Sequence, residues 1–105
     1  MKKITWLGSS RKDLADFPSD ARRNAGHQLA QIQVGRRAAD WKPMNTIGRG
    51  VEEIRIRQAD GAFRVIYLAK RAEAVYVLHA FQKKTQQTSL SDVRLAQSRL
   101  LEIKD

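Results

Sequence analysis

The sequence contains no cysteine, only two prolines and few aromatic residues, and these scarcities limit what the protein can be. Without cysteine, the chain can form neither a disulfide framework nor a thiolate nucleophile. Apolar residues make up 42% of the chain, but charges interrupt them so often that no run approaches the roughly 20 residues that span a bilayer. The stretch MKKITWLGSSRKD also lacks the apolar segment of a secretion signal. We therefore expect a soluble, cytoplasmic protein.

Acidic residues are scarce relative to basic ones. Twenty Lys and Arg residues stand against eleven Asp and Glu, which gives a formal net charge of +9, and the sequence pI is about 10.5. At 105 residues the chain is long enough for one domain, which we place at residues 1–105, with a modest core. So basic a domain predicts a polyanionic partner, nucleic acid first and an acidic protein second. A basic surface without a partner is the alternative.

The first half of the chain has helical periodicity after one short strand. Residues 4–8, ITWLG, are rich in strand-forming residues. Ser10 and Asp13 have the spacing of a capping box and predict a helix that Pro18 ends. Ser19 is then expected to cap a second helix that ends near Gly35, with a buried stripe formed by Ala21, Ala25, Leu29 and Ile32. Residues 36–50 predict a loop.

The second half alternates between apolar and polar residues, as strands do. In residues 51–58, VEEIRIRQ, the pattern places Ile54 and Ile56 on one face and Glu53, Arg55 and Arg57 on the other. Asp60–Gly61 predicts a hairpin into a strand at 63–71, and a turn at 71–74 leads to a strand at 75–83. A last helix is expected at 88–105, started by Ser89 and Asp92, with a stripe of Val93, Ala96, Leu100 and Ile103.

The resulting order is β-α-α-β-β-β-α, with three consecutive antiparallel strands after a helical hairpin. This order predicts an α+β fold. Sheets of this kind often pack helices on one face, so we expect the other face to be partly open.

Basic residues on the three consecutive strands form a candidate phosphate site. Arg64 shares its predicted face with Ile66 and Leu68, and a buried arginine requires a partner because an unpaired buried charge is costly. A fixed guanidinium is well suited to bind phosphate. Neighbouring strands lie about 4.8 Å apart, so Arg64 can converge on one phosphodiester with four other side chains, those of Arg55, His79, Lys83 and Lys84. Taken singly, the histidine is more often a packing residue, and strand-end lysines often only discourage edge pairing.

Other chemistries have little support in the sequence. Glu52 and Glu53 are consecutive, so on a strand they point to opposite faces and cannot act as a carboxylate pair. The chain has no HExxH or CxxC motif, and the glycines of IGRGV lack the strand–loop–helix setting of a phosphate loop. We therefore expect no metal and no cofactor.

Three stretches, VEEIRI, FRVIYLAKR and VYVLHAFQKKTQQT, resemble the RelE/ParE toxin superfamily, in particular its HigB-like, phage-derived branch. The last stretch is the most specific, and the resemblance covers nearly the whole chain. It implies a RelE-like fold, in which an N-terminal helical hairpin and a C-terminal helix pack on a small antiparallel or mixed β-sheet. It also implies the toxin of a type II toxin–antitoxin system. Such toxins are ribosome-dependent mRNA interferases, metal-independent endoribonucleases in which the ribose 2′-OH attacks the adjacent phosphate.

The resemblance also implies roles for individual residues. Arg64 matches the strand arginine that steadies the scissile phosphate, Lys83 lies where a basic residue stands near the leaving group, and Arg55 matches a basic position near the attacking hydroxyl. His79 and Lys84 belong to the HigB-like block. Some RelE members place a tyrosine after this block, but the stretch TQQTSLSD has no aromatic residue, so proton transfer falls to His79, a lysine or the ribosome. We predict Arg64, Lys83 and His79 as catalytic, and Arg55, Arg57 and Lys84 as RNA-binding.

The implied partners are messenger RNA, the ribosome and a cognate helix-turn-helix antitoxin with an acidic segment, held in a hetero-oligomer; no membrane is implied. Two alternatives remain open at this point. A ParE-like toxin of the same fold would inhibit DNA gyrase and cut nothing. A basic RNA-binding or ribosome-binding protein would have no activity at all.

Overall fold

A five-stranded mixed sheet forms the centre of the protein, which a computed structural model describes for residues 1–103. The strands lie in the order β1-β5-β4-β3-β2, with β1 parallel to β5 and the other neighbours antiparallel. This arrangement confirms the α+β class. The elements are β1 (Lys3–Trp6), α1 (Ser10–Ala15), α2 (Ser19–Gln33), β2 (Trp41–Pro43), β3 (Val51–Gln58), β4 (Gly61–Leu68), β5 (Ala74–Lys83) and α3 (Leu90–Leu100).

Helices pack on both faces of the sheet, so the expectation that they would cover only one face was wrong. The helices α1 and α2 pack over Ile54 and Val65, and the predicted stripe of α2 is buried there. On the opposite face, α3 covers Ile66 and Leu78 through Ala96 and its partly buried neighbours Val93, Leu100 and Ile103. The physical reason lies in β4, whose run VIYL is apolar on both faces rather than alternating, and apolar rows on both faces require two covering layers.

The starts of α1 and α2 differ from the prediction by one residue, whereas Ser89 caps α3 as predicted. Ser9, not Ser10, precedes α1, and its hydroxyl donates to Asp13 Oδ2 at 2.7 Å. Ser10 is buried instead, and its hydroxyl donates to the carbonyl of Val77 at 3.1 Å. Pro18, not Ser19, precedes α2, while Gly35 follows its end with φ +86° and donates its amide to Ile32, as a C-terminal glycine does.

The loop predicted at 36–50 contains a short edge strand. Trp41–Pro43 pairs antiparallel with β3, and Pro43 is tolerated because an edge strand needs hydrogen bonds on one side only. The predicted hairpin between β3 and β4 is confirmed, although its two loop residues are Ala59 and Asp60. Gly61, with φ +140°, already pairs with Gln58. The helix predicted at 88–105 spans Leu90–Leu100, and residues 104 and 105 lie outside the described range.

Strand β5 contains a bulge that is held in place by a buried arginine of α3. Ile66 pairs with His79 whereas Tyr67 pairs with Val77, so Leu78 is an extra residue in β5. Its carbonyl accepts a hydrogen bond from Nη1 of the buried Arg99 in α3 at 2.9 Å. Nη2 of Arg99 donates to Ser9 Oγ at 3.0 Å. One arginine therefore ties α3 to the bulge and to the β1–α1 turn.

Across residues 1–103, none of the helices has the length and apolar character that crossing a membrane requires.

The double contact of Arg99 predicts that Arg99→Met lowers the free energy of unfolding by about 1–3 kcal/mol, because the Leu78 carbonyl would lose its buried donor. Urea denaturation followed by circular dichroism measures this change. Arg94→Met, an exposed arginine on the same helix, is the matched control and should change stability little. Equal effects of the two substitutions would contradict the anchoring role of Arg99.

Candidate functional site

Four cationic side chains line a cleft at the end of the β3–β4–β5 meander. We call it the basic cleft; its volume is about 500 Å³ and it is lined by Arg57, Ala62, Arg64, Lys83, Lys84, Thr85 and Gln86. The strand register explains the convergence, because Ala62 of β4 pairs with Arg57 of β3 on one side and with Lys83 of β5 on the other. The small alanine leaves open space between two long basic side chains.

Arg64 is held rigidly at the back of the basic cleft. Its side chain is only 4% exposed, and its Nε lies 3.4 Å from Oε1 of the fully buried Glu53. Nη1 donates to the carbonyl of Phe63 at 3.0 Å. Glu53 is fixed in turn, because its Oε2 accepts a hydrogen bond from Thr88 Oγ1 at 2.7 Å. Arg64 still lines the cleft, so an anion bound there would meet its guanidinium.

The contact between Glu53 and Arg64 is electrostatic rather than a well-aligned hydrogen bond. The facing atoms, Nε and Oε1, are both buried and neither has hydrogen-bond geometry to a partner. Burial lowers the pKa of Arg64, and the charge of Glu53 opposes that change. Since arginine stays protonated in proteins, the cleft keeps a fixed positive charge at this point.

Lys83 lies half-buried where β5 ends. Burial lowers the pKa of its ammonium, and the positive charges of Arg64, Lys42 and Arg55 lower it further, while Glu53 acts in the opposite direction. A lysine with a lowered pKa gives up its proton more readily near neutral pH. Lys83 is therefore the side chain of the cleft that is best suited to donate a proton.

His79 lies apart from the basic cleft. It precedes Lys83 by four residues on β5, which corresponds to about 13 Å along a strand. Its Nε2 is 2.7 Å from Asp92 Oδ1 in α3, its ring stacks on Phe81 with centroids 4.6 Å apart, and its Nδ1 is buried with no hydrogen-bond partner. It lines a separate cleft of about 360 Å³ beside the end of α1.

Arg55 borders the site without lining it. It stands directly opposite Arg64 in the β3–β4 register, and its Nε is 3.8 Å from Asp40 Oδ1. Of the six residues predicted from the sequence, the basic cleft thus brings together Arg57, Arg64, Lys83 and Lys84, with Arg55 adjacent and His79 elsewhere.

Sequence reasoning missed three residues that hold predicted site residues in place, directly or through a neighbour, namely Glu53, Thr88 and Asp92. Glu53 was expected on a polar strand face, but it is fully buried. Asp92 was predicted only as a partner of the helix cap. It does donate its amide to Ser89 at 3.2 Å, but its carboxylate also holds His79. The sequence did contain a signal for the pairing of Glu53 with Arg64, because the hairpin register places the two residues diagonally across from each other.

The two consecutive glutamates face opposite sides of the sheet, as predicted. Glu52 accepts hydrogen bonds from Tyr67 and Arg37 on the face that α2 covers, whereas Glu53 lies beneath α3 and its preceding loop. Within residues 1–103, no three His, Cys, Asp or Glu side chains group closely enough to hold a metal ion.

Comparison with known families identifies the chain. Residues 12–101 match the family model described as phage derived protein Gp49-like (DUF891). The chain belongs to this family. Gp49-like proteins are RelE-like or toxin-like, which agrees with the resemblance at the level of phage-derived toxins. No curated protein is significantly similar to this Gp49-like chain.

The buried pair predicts a characteristic stability pattern in this Gp49-like protein. Glu53→Gln should lower the free energy of unfolding by about 3–5 kcal/mol, because it leaves the charge of Arg64 buried and unpaired. The double variant Glu53→Gln/Arg64→Met should recover most of that loss. Chemical denaturation of the wild type, both single variants and the double variant measures the coupling.

Lys12 and Asp16 provide the matched control for this cycle. They form a shorter contact of 2.9 Å, but their side chains are 78% and 65% exposed. Asp16→Asn should therefore change stability little, since solvent screens exposed pairs. A coupling between Glu53 and Arg64 no larger than the exposed pair's would contradict the positioning role of Glu53.

Proposed function

We propose that this Gp49-like protein is the toxin of a type II toxin–antitoxin pair and that it cleaves messenger RNA on the ribosome, as the HigB-like resemblance implies. The observation that carries the proposal is the fixed guanidinium of Arg64 at the back of a cleft whose charged lining side chains are all cationic. A phosphodiester that gains negative charge in its transition state is the group that such a cleft stabilises best.

In the proposed reaction, the ribose 2′-oxygen forms a bond to the adjacent phosphorus while the bond from phosphorus to the 5′-oxygen breaks. The products are a 2′,3′-cyclic phosphate and a free 5′-hydroxyl. Arg64 stabilises the charge that grows on the non-bridging oxygens. Lys83 donates a proton to the departing 5′-oxygen, for which its lowered pKa suits it.

The proton of the 2′-hydroxyl requires a base. Histidine is the side chain that most often serves as a general base, but the Nε2 of His79 is engaged by Asp92 and His79 lines a different cleft. We therefore propose that a group of the ribosome takes up this proton, because Lys83 enters the reaction protonated as the proton donor and Lys84 acts as a cation. Arg57 and Lys84, which are exposed at the rim, bind the neighbouring phosphates, and Arg55 extends this basic track.

We also propose that the cognate antitoxin, a helix-turn-helix protein, neutralises the toxin with an acidic segment placed on the basic cleft. Carboxylates would then pair with Arg55, Arg64 or the two lysines that follow β5. Complementary charge speeds such association, and the effect weakens as salt screens it. An antitoxin that covers the hairpin of α1 and α2 is the alternative arrangement.

Loss of the cleft cations should abolish toxicity. Lys83→Ala removes the proton donor, and Arg64→Lys keeps a charge but loses the planar fork, so each should lower the cleavage rate by about 10²–10³. Growth of cells that express each variant, at matched levels of folded protein, measures the effect. Arg11→Ala is the control, because Arg11 is exposed on α1 and lines none of the clefts described above.

Primer extension on a reporter messenger tests the chemistry itself. Cleavage should leave 5′-hydroxyl ends and should persist when EDTA is added to a system whose ribosomes remain intact. Products with 5′-phosphate ends would contradict the attack by the 2′-hydroxyl. Inhibition of DNA supercoiling without cleavage would instead identify a gyrase inhibitor, and binding without either effect would identify a non-catalytic RNA-binding protein.

The proton donor predicts a distinctive pH profile. Lys83 donates only while protonated, so the cleavage rate should be constant below its lowered pKa and should fall as pH rises through that pKa. The decline should begin at a lower pH than an ordinary lysine would give. Lys83→Arg should cleave slowly and lose this decline, because arginine stays protonated across the range. If the cleavage rate of Lys83→Arg still fell at high pH as the wild-type rate does, Lys83 would be excluded as the donor.

A further inference from the structure

A second basic pocket lies at the other end of the sheet, on the opposite face. We call it the distal pocket; its volume is about 290 Å³ and it is lined by Lys2, Ile32, Gly35, Arg36, Arg37, Gly50, Glu52, Tyr67, Ala69 and Lys70. The pair Glu52–Tyr67 at its floor is five residue pairs from the pair Arg57–Ala62 of the basic cleft. That separation corresponds to about 17 Å along the strands.

Among residues 1–103, the carboxylate that lines the distal pocket is that of Glu52, and it is already neutralised within the protein. Glu52 accepts hydrogen bonds from Tyr67 Oη and Arg37 Nη1, both at 2.6 Å. Burial and the contact with Glu52 raise the pKa of Tyr67, so its hydroxyl stays protonated. With Arg37 matched to Glu52, the pocket is left with three further cations, namely Lys2, Arg36 and Lys70.

Two of these cations are held at the pocket by the fold. The ammonium of Lys2 donates to the carbonyl of Ala69, and Arg36 Nη1 donates to Gln31 Oε1 at 3.3 Å. Lys70 is exposed, and its aliphatic stem crosses so close to Gly50 that any side chain at residue 50 would meet it. The cations therefore surround a defined concavity rather than project separately into solvent.

We infer that the distal pocket binds carboxylate groups from an acidic segment of a partner protein. Carboxylates match both the excess positive charge and the modest volume, because guanidinium and ammonium groups bind them through short, charge-assisted hydrogen bonds. An adjoining pocket of about 230 Å³, lined by Arg49, Leu68, Lys70 and Arg71, shares Lys70 with it.

The lining favours a peptide over single-stranded RNA. Proteins bind single-stranded RNA by stacking bases on exposed aromatic rings as well as by pairing with phosphates. Tyr67, the aromatic residue of the lining, is only 1% exposed and offers no ring for stacking, and the guanidinium of Arg37 lies over the ring of Trp41 outside the pocket, 4.1 Å from its centroid. The inference concerns a site separate from the basic cleft, so it does not depend on nuclease activity.

The test is a titration of the ¹⁵N-labelled full chain with a blocked hexaglutamate peptide, followed by NMR. We expect the amide chemical shifts of Gly35, Gly50 and Lys70 to change, whether or not the amide of Thr85 in the basic cleft changes as well. A blocked hexaglutamine peptide should cause none of them. The double variant Arg36→Gln/Lys70→Gln should bind hexaglutamate at the distal pocket roughly tenfold more weakly or worse.

Arg11→Gln/Arg94→Gln is the matched control, because it removes the same charge from two exposed positions outside both pockets. It should weaken binding less than about twofold, because it removes only long-range electrostatic attraction, which salt screens. Shifts confined to the basic cleft, or equal losses in the two double variants, would overturn the inference. Tighter binding of hexauridylate than of hexaglutamate at Gly35 and Gly50 would replace the acidic peptide with RNA.

Discussion

The buried ion pair between Glu53 and Arg64 is the constraint on which the basic cleft depends. At 3.4 Å, and with an effective dielectric constant of about 20, the attraction is about 5 kcal/mol. Removing each ion from water costs several kcal/mol, so the pair adds little net stability. Its effect is positional. A buried guanidinium with two engaged nitrogens has one orientation, and catalysis by charge requires that the charge be in place before the reaction begins.

The sheet separates two basic pockets that differ in their chemistry. Within residues 1–103, the basic cleft is lined by four cations and no acidic residue, and it is the larger of the two. The distal pocket contains a glutamate, Glu52, whose charge is matched by Arg37 of the same pocket. The antiparallel register produces this separation, because the β3–β4 hairpin places one end of the meander beside Lys83 and the other beside α2.

Much of the fold could be predicted from the sequence because its local signals agree with the tertiary structure. The alternation in β3 gave its bounds and faces, and the spacing of Ala21, Ala25, Leu29 and Ile32 gave the buried stripe of α2. The short strand β2 could not be predicted, since three residues ending in Pro43 have no periodicity of their own. The site was harder. Strand alternation alone does not specify the bulge at Leu78 or the contact of His79 with Asp92, which depends on where α3 packs.

Helix α3 connects these separate features into one unit. Thr88, just before the helix, holds Glu53 and through it Arg64; Asp92, in the first turn, holds His79; and Arg99, in the last turn, holds the bulge at Leu78. Each contact is polar and buried or partly buried, so none can be lost without leaving a group unsatisfied. Because β5 carries both the bulge and Lys83, a shift of α3 would act on Lys83 and on the guanidinium of Arg64 together. The position of α3 therefore sets the geometry of the cleft, although only the loop that leads into it, through Lys84, Thr85 and Gln86, lines that cleft.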